Sequence, residues 1–377
     1  MLMDVSSELV HSLLPVFMAT VLGVSMVTIG VIEGVAEGAA AITKVFSGVF
    51  SDYFGKRKVP AVMGYALSAL TKPVFPLAST AGWVFGARFV DRLGKGIRGA
   101  PRDALVADIT PVALRGAAYG LRQALDSVGA FVGPLLAIGL MLWFANDIRA
   151  VFWVAVVPAF LAVSLLIVGV REPEGGGRPA ASRRDLRLRG ARRLPVRYWL
   201  VVAMGALFAL ARFSEAFLVL RALDVGFAVG YVPVVMVIMN VAYSLIADPA
   251  GVAADRHSAR KLLVWGLGVL VAADLVLALS ASPAGVLFGA ALWGLHMALT
   301  QGLLSKLVAD TAPAELRGSA FGVFNLVSGL ALILASTLAG YLWSTIGASA
   351  TFLAGALFAA LTAAGLLLYR GGVRQGA

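Results

Sequence analysis

The chain has no cysteine, which removes disulfides, thiolate metal sites and cysteine nucleophiles from consideration. Histidine is almost as scarce: His11, His257 and His296 are the three present, too few for a site built on imidazole, and no resident metal or cofactor is expected. Charged residues make up 14% of 377 positions, against about 25% in an average soluble domain. No P-loop, H-E-x-x-H or nucleophile elbow occurs, so neither direct use of ATP nor hydrolytic chemistry is signalled and a protein that is not an enzyme is expected. No cleavable signal is expected either, because the chain enters an apolar segment almost at once with no basic region ahead of it. With three residues before Asp4, a longer natural N-terminus would be no surprise.

What the chain has in abundance is apolar surface: 60% of residues are hydrophobic and the mean hydropathy is +0.90. One water-soluble core cannot bury that much, and the apolar residues come in runs of about 20, the length that crosses about 30 Å of hydrocarbon. Spans are predicted over 3–24, 28–50, 59–80, 82–107, 117–142 and 150–170, then over 198–220, 228–250, 261–281, 285–309, 318–342 and 350–369. The fold class expected is an all-α integral membrane protein of twelve transmembrane helices. Trp83, Trp143, Trp199 and Trp343 fall near predicted span ends, where aromatic rings sit at headgroup level.

The surplus of Lys and Arg, which gives a net charge of +11, is placed as a topological signal and not as a nucleic-acid footprint. With the N-terminus in the cytoplasm, nineteen of the 31 Lys and Arg fall in cytoplasmic loops and tails, against two, Arg149 and Arg221, outside. Both termini are therefore expected in the cytoplasm, with the protein in the plasma (inner) membrane. Nine of the nineteen lie between Arg171 and Arg197, in REPEGGGRP and SRRDLRLRGARR, which reads as a flexible basic linker touching anionic headgroups.

Residues 105–120, LVADITPVALRGAAYG, match residues 307–322, LVADTAPAELRGSAFG, at ten of sixteen positions with an offset of 202. A second pair, GVFSDYFGKRK from Gly48 and GVAADRHSARK from Gly251, has an offset of 203. Two independent motifs thus report one duplication. The expected domains are a six-helix bundle over 1–170, the linker over 171–197 and a second bundle over 198–377, enclosing a central cavity at their interface and working by rocking of one half against the other.

The set Gly48, Asp52, Gly55, Lys56, Arg57 and Lys58 resembles the loop between the second and third helices of the major facilitator superfamily, and the resemblance extends over essentially the whole chain. Tyr53 stands where that family usually has Arg or Lys, and Ser258 replaces the second glycine in the repeat. The resemblance implies gating roles for Gly48, Asp52, Gly55 and Arg57, and for Gly251, Asp255, Arg256 and Arg260. Physically, Arg57 can pair with Asp108, and Asp255, Arg260 and Asp310 can repeat the arrangement. The fifth span holds Gly120, Gly129, Gly133 and Pro134 at G-x8-G-x3-GP, similar to a motif of drug:proton antiporters, with Ala137-Ile138 where that motif closes on Gly-Gly. Glycines four apart admit close helix approach, and Pro134 allows a bend.

The fourth span is the most heavily charged. Arg88, Asp91, Lys95, Arg98 and Arg102 step by three and four along one helical face, with Arg92 beside it. At roughly 2.5 to 3.5 kcal/mol per charge at mid-bilayer, that face must line a wet cavity or meet partners. Acidic partners are on offer from Asp4 and Glu8, which share a face with His11, and from Glu33, Glu37 and Asp103; Arg122 and Asp126 form an i,i+4 pair. The seven intramembrane acids and eight bases of the first half nearly cancel, so a structural ion-pair network and a substrate or proton site both stand as readings. The second half is quieter, with Arg212, Glu215, Asn240, Asp248, Asp274, Gln301 and His296; for His296 hydrogen-bonded packing competes with substrate contact.

Candidate substrate- and proton-binding residues are therefore Asp4, Glu8, His11, Glu33, Glu37, Arg88, Asp91, Arg92, Lys95, Arg98, Arg122, Asp126, Glu215 and His296. Candidate gating residues are Asp108, Asp310, Gly129, Gly133 and Pro134 besides the loop residues above. The function expected is proton-coupled secondary transport, as an exporter of a small organic solute; transport of an anion such as an organophosphate, carboxylate or siderophore is the alternative, and metal-cation efflux a weaker one. Expected partners are a small-molecule substrate, protons and the lipid bilayer, with no nucleic acid, and the protein is expected to be a monomer.

Overall fold

The computed structural model describes residues 1–54, 57–170, 194–313 and 316–368, leaving aside the side chains of 48–54 and 255. Gly55, the side chains of Asp52 and Asp255, and nearly all of the basic linker lie outside the described residues. The described chain is helical throughout. In order it forms α1 (Leu2–His11, continued by Leu14–Val16 and a π-helical turn at Phe17–Val21), α2 (Met26–Phe54), α3 (Lys58–Thr71, with a turn at Val74–Leu77) and α4 (Ala81–Ile109). There follow α5 (Arg115–Trp143), α6 (Ile148–Gly169), α7 (Val196–Ala211 and Ala216–Asp224) and α8 (Val234–Arg256). The last four are α9 (Ala259–Leu279), α10 (Pro283–Thr300 and Leu303–Thr311), α11 (Arg317–Thr345) and α12 (Ala348–Leu368).

Ten of these segments are long and apolar enough to cross a bilayer, which makes this a multi-pass membrane protein. α3 and α4 fall short of that measure; α4 carries eight charged residues. Four helices are broken where the sequence reading drew them continuous. Pro15 removes a backbone donor in α1, Pro73 and Pro76 end α3 early, and Gly302 adopts a left-handed φ of +74° in α10. In α7 the chain leaves the helix from Arg212 to Ser214 with no proline or glycine to mark the break.

Packing repeats along the chain. Gly64 of α3 faces the Gly94 carbonyl and Arg98 of α4, and Gly266 of α9, 202 residues on, faces Thr300 and the His296 carbonyl of α10. Lys58 donates to the Ile167 carbonyl at the C-terminus of α6 at 2.7 Å, and Arg260 donates to the Leu367 carbonyl at the C-terminus of α12 at 2.6 Å. Each cation satisfies an orphan carbonyl at the negative end of a helix dipole.

α2 packs against α11 along a seam of small residues. A Cβ on Gly34 would come within 2.9 Å of the Ile333 carbonyl oxygen, and one on Gly38 within 2.7 Å of the Gly329 carbonyl oxygen, while Gly340 abuts the Met26 backbone. Such backbone-to-backbone contact is how helices associate where no water drives them together. The turn after α5 meets the segment before α8 through Asn146 against Gly230, and α8 meets α5 through Asn240, which donates to the Ala130 carbonyl at 3.1 Å. Toward the end that carries the linker, Leu121 and Leu125 of α5 and Leu245 and Val252 of α8 are exposed. At the far end α2 and α11 stay in backbone contact, Gly340 against Met26.

The seam predicts a mechanical effect. Gly34→Val overpacks the α2–α11 contact at a cost of about 1–3 kcal/mol to the converged state. With nitroxides on Val21→Cys and Ile346→Cys, both exposed far-end positions on a chain without native cysteine, electron–electron double resonance should show Gly34→Val lengthening the distance distribution. An unchanged distribution would show that the seam does not hold this end closed.

Candidate functional site

A cavity of about 560 Å³ lies at the centre of the helices. One wall, from α1, α2 and α4, presents Glu8, His11, Glu37, Arg92 and Lys95. The opposite wall, from α7, α8, α10 and α11, presents Phe208, Arg212, Phe213, Glu215, Tyr243, Trp293, Gln301 and Phe324. The breaks of α7 and α10 build this second wall: leaving the helix at Arg212 turns four consecutive residues, Arg212 to Glu215, toward the cavity, and Gln301 beside the left-handed Gly302 accepts a hydrogen bond from the Tyr243 hydroxyl.

The charges of the first wall form a chain. Arg88 grips Glu33 with two parallel bonds, Nη2 to Oε2 at 2.8 Å and Nε to Oε1 at 3.2 Å, both side chains being buried. Arg92 holds Glu37 at 3.0 Å, with Arg88 3.6 Å from the same carboxylate. The His11 ring stands between two acids, 3.5 Å from Glu8 by Nδ1 and 3.8 Å from Glu33 by Nε2. Glu33 also accepts from the Ser214 hydroxyl at 3.3 Å, and the Ser214 backbone N–H donates to Ser336 of α11 at 3.0 Å. The ion network of the first wall thus reaches the α7 break of the second.

The α4 stripe divides between two faces. Asp91 turns away from the cavity to Lys72 of α3 at 3.0 Å, and Lys72 also reaches Ser7 at 3.2 Å. Arg98 donates to Ser68 at 2.7 Å and lies 4.8 Å over the Tyr65 ring. Of the candidates on α4, Arg92 and Lys95 line the cavity; Arg88, Asp91 and Arg98 sit behind its wall, held by helices α2 and α3. Toward the linker end, Arg122 and Arg102 bind Asp126 at 2.9 and 3.4 Å, Arg122 lies 3.6 Å from Asp103, and Asp4 holds the Met1 amino group at 2.9 Å. Asp4, Arg122 and Asp126 form this separate cluster and do not line the cavity.

In the second half, His296 is buried behind the wall with Nδ1 3.1 Å from the Gly266 carbonyl. Asp274 is fully buried and neither of its oxygens has a hydrogen-bond partner among the described residues; the Trp293 Nε1 is likewise unpartnered. Trp343, expected at the headgroup level, packs against Phe217 and Phe352 at 5.8 and 6.3 Å between ring centres. Donor atoms of His11, Glu33 and Glu37 all lie within 4.8 Å of one another, close enough to share a metal ion, but Arg88 and Arg92 already occupy both carboxylates.

A model of the Major Facilitator Superfamily matches residues 1–247 and 216–375. An uncharacterised MFS-type transporter of Methanocaldococcus jannaschii is 32% identical over 374 residues, covering 97% of this chain and 91% of that protein. The chain belongs to the major facilitator superfamily. The inner membrane transport protein YajR of Escherichia coli is 24% identical over 352 residues, covering 90% of this chain and 74% of its own. Among solved structures, a nucleoside transporter, NupG, superposes with a TM-score of 0.81 at 15% identity over 97% of both chains, and a D-xylose-proton symporter with 0.75 at 16% over 98% and 95%. These likenesses show that the fold is that of the superfamily.

Within this superfamily member the loop residues have distinct settings. Arg57 lies 3.5 Å from Asp108, whereas Arg260 spends its guanidinium on the Leu367 carbonyl, so the second copy is not seen to repeat the pair with Asp310. Gly129 and Gly133 of α5 seat α1: a Cβ on either would come within 2.8 Å of Asp4 or Glu8 Cβ. Arg212, Tyr243, Gln301 and the aromatic wall escaped the list of sequence candidates. Their signal was weak, since the α7 break carries no breaker residue and aromatic residues on an apolar helix look like core.

Truncating one partner of the buried Arg88–Glu33 pair strands the other charge. Arg88→Gln should destabilise the detergent-solubilised protein by about 3–5 kcal/mol. Arg88→Gln with Glu33→Gln should cost clearly less than the sum of the single changes, since the two act as a unit. Thermal unfolding of the four proteins checks this; simple additivity would mean that the pair contributes no coupling.

Proposed function

We propose that this protein is a proton-coupled secondary transporter that moves a small organic solute outward across the plasma (inner) membrane by alternating access. The observation that carries the reading is His11, placed at the cavity between Glu8 and Glu33, with Glu33 reaching across to Ser214 in the α7 break. A change of proton occupancy there alters the charge of a network that touches both walls, and so couples the proton to the packing of one set of helices on the other. Glu37 and Glu215, which also line the cavity, complete the set of carboxylates open to the solute.

In this reading α3 and α4 join the ten apolar segments as membrane crossings, which makes twelve, in halves over 1–170 and 198–377. Buried partners in α2 and α3 neutralise α4 and allow it to cross despite its eight charges. The linker of 171–197 and both termini are cytoplasmic, and the unit is a monomer in the bilayer. The linker end faces the cytoplasm and the α2–α11 seam closes the outside. Gly48, Asp52, Gly55, Arg57 and Asp108, with Gly251, Asp255, Arg256, Arg260 and Asp310, act as the cytoplasmic gate. Export is the direction that the α5 motif supports; its glycines Gly129 and Gly133 and the following Pro134 hold the carboxylate-bearing α1 against α5.

The test uses proteoliposomes with a pH-sensitive dye inside and a panel of drugs, sugar phosphates, siderophores and metal salts. A transported solute should move protons in the opposite direction, and Glu8→Gln and His11→Asn should abolish that proton movement while solute exchange at equal concentrations persists. Solute flux that is indifferent to collapse of an imposed pH gradient would sink proton coupling.

A further inference from the structure

We infer that the solute is an organic monoanion with an aromatic or otherwise apolar body, its acidic group held by Lys95 and Arg212 and its body laid against Phe208, Phe213 and Phe324. This rests on the central cavity being the transport site.

Several of the cavity charges already have partners. Around the cavity, Glu37 is occupied by Arg92 at 3.0 Å and Glu8 by His11 at 3.5 Å. Lys95 and Arg212 line the same space, and among the described residues neither has a carboxylate within 4.0 Å. Glu215 is the remaining carboxylate on the wall, and among the described residues it likewise has no cation within 4.0 Å; it and Arg212 attract each other from farther apart, as Glu37 and Glu8 attract Lys95. With His11 protonated, two uncommitted cations and one uncommitted anion leave the site short of one negative charge, so the anion site is the one offered by the protonated state.

The hydrogen-bonding atoms agree in sign. Arg92 is buried on the cavity wall, and among the described residues its Nε–H has no hydrogen-bond partner, so one donor on this wall is left without an acceptor. The Arg212 guanidinium lies 5.7 Å over the Phe208 ring, which fixes the plane of its donors before a ligand arrives. Guanidinium and ammonium together suit a carboxylate, sulfonate or phosphate monoester.

The rest of the cavity rejects a small, fully hydrated anion. The rings of Phe208, Phe213 and Phe324 face the same space, and the Phe213 ring is braced at 5.5 Å by Trp293. An inorganic ion would leave those rings unused. A volume of about 560 Å³ is that of a pocket for a drug-sized molecule. A cation would face Lys95 and Arg212 with Glu215 as the one cavity carboxylate that has no cation within 4.0 Å among the described residues, and a dianion would overfill the charge deficit.

Three probes that share one ring system separate the classes: indole-3-acetate, tryptophol and tryptamine, titrated calorimetrically at neutral pH into the purified full-length protein. Indole-3-acetate should bind, tryptophol at least tenfold more weakly, and tryptamine without detectable heat. Lys95→Gln and Arg212→Gln should each weaken indole-3-acetate at least tenfold and Glu215→Gln should tighten it, with melting temperatures unchanged. Tryptamine or tryptophol binding as tightly as indole-3-acetate would overturn the inference, as would indole-3-acetate binding that survives the double change Lys95→Gln, Arg212→Gln. So would failure of both indole-3-acetate and decanoate to bind. Counterflow of labelled probes in proteoliposomes tells this failure from that of the transport reading. Indole-3-acetate that binds without counterflow rejects transport and keeps the anion site; tryptamine in counterflow keeps transport and rejects the anion.

Discussion

The bidentate pair of Arg88 and Glu33 is the contact on which the interior depends. α4 brings more charge into the membrane than hydrocarbon tolerates, and each charge has to be matched inside the protein. Glu33 does that for Arg88 at 2.8 Å and at the same time touches His11 and Ser214. Arg88 in turn reaches Glu37, whose main partner is Arg92 on the cavity wall. The pair therefore fixes the position of α4 against α2, and with it which α4 side chains face the cavity. Lys72 and Asp91 do the same for the contact with α3, at 3.0 Å. A helix pinned on two sides by buried ion pairs is a rigid support, and Lys95 projects from it into the cavity.

Rigidity on one side is complemented by interruption on the other. α7 and α10 are each split at the level of the cavity, so helix ends and the short turns between them supply Arg212 to Glu215 and Gln301 to the second wall. Small-residue contact between α2 and α11 lets whole helices lie against each other with little side-chain interlock, so the seam can part without unpacking a core. The polar bond from Glu33 to Ser214 crosses the same boundary. In a dry interior it is stronger than its 3.3 Å would suggest in water, yet it is one bond and can be exchanged.

Much of this was legible in the sequence, and the illegible part has physical causes. Span positions followed from runs of about 20 apolar residues, because the bilayer imposes that length. The duplication followed from two motifs with nearly equal offsets. The stripe on α4 was visible as a period, but a period gives a direction around a helix and not what stands opposite. Arg88, Asp91 and Arg98 share that face and still point at α2 and α3, while Arg92, drawn beside the stripe, reaches the cavity. The break at Arg212 was invisible because tertiary contacts, among them the Ser214 N–H to Ser336, satisfy the backbone groups that a continuous helix would have paired. Prolines 15 and 73 and Gly302 mark their own breaks, through a missing donor or a left-handed φ.

The duplication also shows where the halves parted in chemistry. At the offset of 202, Arg88 corresponds to Ala290, Asp91 to Trp293, Lys95 to Met297 and Arg98 to Thr300. Lys72 corresponds to Asp274, so the place of the Lys72–Asp91 ion pair is taken by a carboxyl and an indole N–H, neither with a partner among the described residues. The backbone contact is kept, as Gly64 and Gly266 show, while the charge that neutralised one copy is lost from the other. An ion pair tolerates little change in separation at low dielectric, whereas an aromatic wall slides with small loss of contact. Charge is thus concentrated in the first half, and the aromatic rings of the cavity in the second. A cavity built between two such halves has one wall held by ion pairs and another on which aromatic rings surround Arg212 and Glu215.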